Sequence, residues 1–216
     1  MRVKYNRERG FKDMSMDYEA VMHFLQETLQ NLAYIDGDDI PNINLYMDQV
    51  TTFMDEHLAS TKRATDDKIL TKTMINNYTK NNLLPPPEKK KYSKEHMLIM
   101  LFIYYFKNVI VIKDIEAILN PITKQFFQSD SPVSMADIYE EILSGEKAQM
   151  SVRQDAIIAM FTQSSMAFAD VELENKEYLQ LFSFLCSLSF DIYQKKFLIE
   201  KLIDEFCTVK SETPKE

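Results

Sequence analysis

With 216 residues and 45% apolar side chains, the chain can bury one large or two small cores, and general disorder is excluded. Its formal net charge is -8, and its three glycines, Gly10, Gly37 and Gly145, are too scattered for a dinucleotide fingerprint or a nucleoside-triphosphate loop. The two cysteines, Cys186 and Cys207, read as buried free thiols in a reducing compartment, and His23, His57 and His96 lack zinc-site spacing.

In chain order, residues 1–14 form a basic leader that is expected to be flexible. It has no apolar stretch behind it and so does not read as a secretion signal. Ser15 to Ile35 shows helical spacing at Met16, Ala20, Phe24, Leu25, Leu29, Leu32 and Ala33, with Gly37 and its neighbouring aspartates ending the helix. Pro41 keeps the chain extended before a helix predicted over about Leu45 to Ala59. Asn44 is its expected N-cap, and Tyr46, Val50, Phe53, Met54 and His57 form one stripe. Residues 60–69 are a polar connector. Thr71 is placed to cap the next short helix, over 71–81, with Leu70 and Ile75 as a hydrophobic staple. Met74, Ile75 and Tyr78 share one face of that helix, and Lys72, Thr73, Asn76, Asn77 and Lys80 occupy the rest. Asn82 suits the left-handed conformation that ends a helix. Pro85, Pro86 and Pro87 make a stiff extended arm that carries Lys89, Lys90 and Lys91.

Ser93 caps the following helix, with Tyr92 and Met97 as a second staple; Met97 to Phe106 is unbrokenly apolar and reads as the buried centre of its domain. A small amphipathic helix carries Ile112, Ile115, Ile118 and Leu119, and Pro121 is expected to close it. Beyond it, a capped helix over Ser134 to Leu143 ends near Gly145, and a second occupies residues 147–169. Asn175 to Cys207 has no Gly or Pro, and as one helix it would reach about 50 Å. Its dense apolar residues require covering by other helices or by a second subunit. No run approaches the roughly 18 apolar residues of a membrane span, so the chain is expected to be soluble and cytoplasmic. The expected division is a helical domain over 15–121, a C-terminal helical domain over 122–210 and a frayed tail over 211–216.

The charge is unevenly spread: residues 1–61 carry net -6, residues 62–113 net +7, and residues 114–216 net -9. A basic segment between acidic ones is the footprint of a face that meets a polyanion, and equally of a solvated lysine-rich loop.

The run Tyr78, Asn82, Leu83-Leu84-Pro85-Pro86, Lys89 to Lys91, Tyr92-Ser93 and Lys113-Asp114-Ile115 resembles the DNA-binding region of MerR-type regulators. The wider segment, with Leu45 to Val50 and Thr71 to Tyr78, is similar to the bacterial domain-of-unknown-function family 1836; together these resemblances cover about residues 40–120. They imply a winged helix-turn-helix with a shortened wing; with the helical C-terminal domain and long last helix read above, the fold is expected to be all-α. They also imply double-stranded DNA as partner and a homodimer on a two-fold-symmetric site, for which the long C-terminal helices are the candidate contact; the acidic C-terminal half is also the candidate place for an effector, with no residue set that defines a pocket. The DNA-binding set would be Lys72, Thr73, Asn76, Asn77, Lys80, Lys89, Lys90 and Lys91. Asn76 stands where the MerR pattern has arginine, Asn77 stands where it has an aromatic, and the wing lacks its Gly-Tyr-Arg tip.

On this reading the 71–81 helix enters the major groove, where the amides of Asn76 and Asn77 suit adenine edges, while the lysines hold phosphates. The alternative is a protein-interaction module that keeps the winged-helix shape without DNA. Enzymatic activity is not expected: Asp170, Glu172, Glu174 and Glu177 read as a solvated face, and no cofactor or metal is implied.

Overall fold

The computed structural model describes residues 17–32, 34–170, 172 and 176–207. The leader over 1–14, Ser15, Met16, Ala33, Glu174, Asn175 and the 211–216 tail lie outside the described residues. Among the described residues, seven α-helices, a few short 3-10 and π turns and one two-stranded antiparallel ladder make up the regular structure, an all-α architecture. The chain divides into two compact units: residues 33–146 with 195–216, and residues 1–32 with 147–194. The units exchange along the chain at 32/33, 146/147 and 194/195.

The larger unit is organised on α4 (Lys94–Phe106), in which every residue from His96 to Tyr104 is buried. That is what a helix with no polar stripe requires. Around it lie α2 (Met47–His57), α3 (Lys72–Lys80), α5 (Ile112–Phe126) and the start of α6 (Met135–Ser165). Ile199 and Ile203, from the end of α7 (Lys176–Leu202) and the π-helical turn Ile203–Cys207 after it, join the same core. Val50, Phe53 and Met54 of α2, Ile75 and Tyr78 of α3, and Ile115 and Leu119 of α5 are buried against one another and α4.

Several local readings need correction. Leu45 and Tyr46 do not open α2 but form strand β1 (Leu45–Tyr46), which pairs with β2 (Lys91–Tyr92) in the register Leu45↔Tyr92 and Tyr46↔Lys91. Tyr46, not Asn44, is the α2 N-cap: its N–H donates to Gln49 Oε1 at 2.9 Å. His57 is exposed and stacks on Phe53, with ring centroids 4.0 Å apart. Pro121 lies inside α5, where it lacks the N–H that would reach Ala117 O; the helix continues because Ile122 and Phe126 still pack on the core. Gly145 ends nothing, and α6 runs through it from Met135 to Ser165. Its φ is not positive, a Cβ there would meet nothing within 4 Å, and one helical glycine costs only about 1 kcal/mol. The cap at Ser134 is as expected: its N–H and Oγ both donate to Asp137 Oδ2, at 2.8 and 2.7 Å.

The smaller unit contains α1 (Tyr18–Gln30), the later turns of α6 and the earlier turns of α7. Asp17 caps α1 by accepting from Glu19 N at 3.0 Å. No residue of α1 is fully buried, and Phe24, expected on the packed face, is exposed. Tyr18 stacks on Phe161, which meets Phe184 edge-on, both pairs at 5.2 Å. Gln154 Nε2 donates to Leu29 O at 2.8 Å. Among the described residues of this unit only Phe161, Ser164 and Phe184 are buried. The cysteines are free, as expected, but half-buried.

Candidate nucleic-acid interface

Helix α3 begins where Thr71 Oγ1 accepts from Met74 N at 3.1 Å, and the flanking Leu70 and Ile75 are both buried. It stops at Asn82, whose φ of 57° is left-handed. Leu83 N and Asn82 N donate back to Tyr78 O and Thr79 O at 2.9 and 3.2 Å, which is the Schellman closure of a helix end. Both ends of this nine-residue helix are therefore fixed by local chemistry, and Ile75 and Tyr78 fix its rotation. Lys72, Thr73, Asn76, Asn77 and Lys80 are left exposed, within an arc of about 140° at 100° per residue.

The arm Pro85–Pro87 leads to a two-residue turn. Lys91 N donates to Glu88 O at 2.9 Å, and Lys89 and Lys90 between them have φ of 50° and 66°. Positive φ at both central residues is the type I′ arrangement, which favours Asn-Gly and is strained for lysine. Both side chains are exposed. Lys91 is not equivalent to them: it is half-buried on the ladder, with its Nζ 5.1 Å from the Tyr46 ring centroid. Lys72 also has a partner, an ion pair with Asp48 of α2.

His96 holds the arm against α4. Its Nδ1 accepts from Ser93 N at 3.0 Å and lies 2.8 Å from Ser93 Oγ. Because a backbone N–H can only donate, the ring proton belongs on Nε2, which donates to Pro86 O at 3.4 Å. Tyr92 and Phe127 close over the ring edge-on at 5.6 and 4.8 Å. Burial pushes the imidazole pKa down, against an opposing pull from the Pro86 carbonyl. A second brace is Lys107, which donates to Ile69 O at 2.9 Å and lies over the Tyr104 ring; burial pushes its ammonium pKa down too. Thr61 and Tyr104 hydroxyls, 2.5 Å apart, tie the other end of the 58–71 connector to α4. Neither brace shows in the spacing of the sequence, and the Ser93 cap alone hints at the His96 contact.

A polar cleft of about 380 Å³ lies between α2 and the start of α3, lined by residues that include Asp55, Glu56, Lys68 and Lys72. The hydrogen bond from Lys62 holds the Asp55 carboxyl below its ordinary range, at a contact of 2.7 Å. Among the described residues no group of three or more His, Cys, Asp or Glu side chains is arranged to hold a metal ion, and no helix is long and apolar enough to cross a membrane.

These elements define a helix–connector–helix domain closed by a short β-ladder, with amides and lysines turned outward from its second helix and its turn. The chain belongs to the family described as domain of unknown function (DUF1836), whose model matches residues 35–142, half of its length. The match takes in α2 through α5 and the start of α6. No curated protein and no solved structure matches the chain.

Proposed function

We propose that the chain is a DNA-binding transcription regulator whose larger unit carries a MerR-like winged helix-turn-helix. In this reading α3 lies in the major groove and the Lys89–Lys90 turn, a shortened wing, sits on the phosphate backbone. The reading rests on one observation: the outward arc of α3 holds only lysines, amides and a threonine, and two exposed lysines occupy a strained turn just beyond it. Asn76 and Asn77 can each pair bidentately with adenine N6 and N7. Lys80, Lys89 and Lys90 serve as phosphate contacts, which position the protein without reading sequence. Lys72 joins them by exchanging Asp48 for a phosphate, and Lys91 acts mainly by fixing the ladder through Tyr46. Such a regulator would act in the cytoplasm as a homodimer on a two-fold-symmetric site.

The test is selection of bound duplexes from a random pool, followed by affinity measurement across a salt series. Log K is expected to fall by about 0.9 for each phosphate contact per log unit of salt. Replacing Lys89, Lys90 and Lys91 by Ala is expected to weaken all sequences alike and flatten that slope. Asn76→Ala is expected to lose about 1–3 kcal/mol of discrimination at one base pair. Binding indifferent to both changes overturns the assignment of this face.

The carboxylate of Asp48 against Lys72 and the net charge of -8 favour a second reading, a protein-interaction module on the same scaffold. No retention on random duplex at low salt, with stoichiometric co-purification of a partner protein, would establish it instead.

A further inference from the structure

Helix α7 carries no charged side chain from Tyr178 to Phe190, almost four turns. One side of it packs inward through Phe184, which meets Phe161. The opposite side holds Leu179, Phe182, Cys186, Phe190 and Tyr193, all within an arc of about 80°. Of these, Phe182 is 55% exposed, Phe190 64% and Tyr193 66%. Leaving such a stripe in water is costly, and the unit that bears it has only two buried apolar side chains among its described residues.

The order of the stripe says what covers it. Its spacing, 3-4-4-3 about Cys186, reads the same in both directions, with a small residue at the centre and a large ring four positions to either side. A second copy running antiparallel about a two-fold axis at Cys186 sets Phe182 of one chain against Phe190 of the other, twice. Leu179 likewise meets Tyr193, and small Cys186 meets itself where the backbones approach most closely. An isologous interface requires this self-complementarity, and an unrelated partner has no use for it. With Leu185 and Ile192 on the flank, the exposed side chains present about 500 Å² of apolar surface per copy. Two copies together remove about 1,000 Å², the size at which a specific interface begins.

We propose that this face of α7 is the surface through which two copies of the chain associate, antiparallel and centred on Cys186. The proposal stands on α7 alone and does not require that the protein bind DNA.

The experiment is sedimentation equilibrium of the full chain at about 1–50 µM without nucleic acid, with mild copper–phenanthroline oxidation to a disulfide and peptide mapping of the linked thiols. Wild type is expected to be a dimer and to yield a Cys186–Cys186 link. Phe190→Glu and Phe182→Glu are each expected to give monomer at least tenfold more readily, with the link lost and circular dichroism unchanged, because both side chains are more than half exposed. A wild-type monomer throughout the range overturns the proposal; so does a dimer that survives both substitutions or lacks the Cys186 link. If one variant fails to fold, the other and the link in wild type decide. Replacing Lys89, Lys90 and Lys91 by Ala should leave the mass unchanged, so failure here leaves the DNA reading intact.

Discussion

His96 is neutral by construction, because its Nδ1 must accept from Ser93 N and its ring lies near the positive end of α4. Its folded pKa lies below the ordinary value of 6.5, so below that pH the unfolded chain takes up a proton that the folded chain refuses. The unfolded state then binds more protons, and stability must fall as the pH is lowered from about 6.5 toward the folded pKa. His96→Gln keeps a side-chain acceptor for the cap and removes the titration. Urea unfolding at pH 7.5 and 5.5 is expected to show a smaller acid loss in this variant than in wild type. At pH 7.5 it should cost about 1 kcal/mol, for the lost Pro86 contact. An equal acid loss in both would assign the effect to other groups. The cap at Ser93 and the burial of Tyr92 and Met97 on either side of it were legible from spacing, but the imidazole's role was not. The capping-box pattern expects Glu or Gln three residues on, and the Pro86 carbonyl comes within reach only when the arm folds back. Lys107 was hidden for a similar reason: its acceptor is 38 residues away.

On the proposed DNA-binding reading, the short turn before β2 sets stability against binding. Lys89 and Lys90 both hold left-handed backbone that Asn-Gly adopts at little cost. Replacing them with Asn and Gly is expected to raise the unfolding free energy by about 1–2 kcal/mol while weakening retention on duplex DNA. A variant that gains stability and keeps full binding would remove these lysines from the interface. Pro121 gives a simpler test. Pro121→Ala restores a donor to Ala117 O inside α5, and the urea midpoint is expected to rise by the equivalent of about 1–3 kcal/mol. These elements also mark how far the sequence could be read. Helix ends capped by side chains at Thr71, Ser93 and Ser134, and by left-handed backbone at Asn82, were legible because their chemistry is local. Ends inferred from Pro121 and Gly145 were not ends at all. A breaker residue raises the cost of a helix, and burial of Ile122 and Phe126 in one case, with a modest glycine penalty in the other, outweighs it. The two-residue strands escaped notice because a ladder that short leaves no period-2 pattern.

Across the whole molecule, the uneven charge matters more than its sum. The net +7 of residues 62–113 covers α3 and the turn, so the proposed DNA-binding reading requires duplex affinity to drop steeply between 50 and 200 mM salt despite a net charge of -8. The division of the chain was less legible than its charge. Composition shifts near Pro121, but the two units are assembled from segments far apart in sequence, which no linker composition announces. The lysine turn has one further consequence. Trypsin cuts after lysine, but its cleft takes extended chain, and a hairpin closed by Lys91 N to Glu88 O over two residues does not fit it. Scission there must wait for Tyr46 and Lys91 to part, so its rate reports the free energy of that local opening.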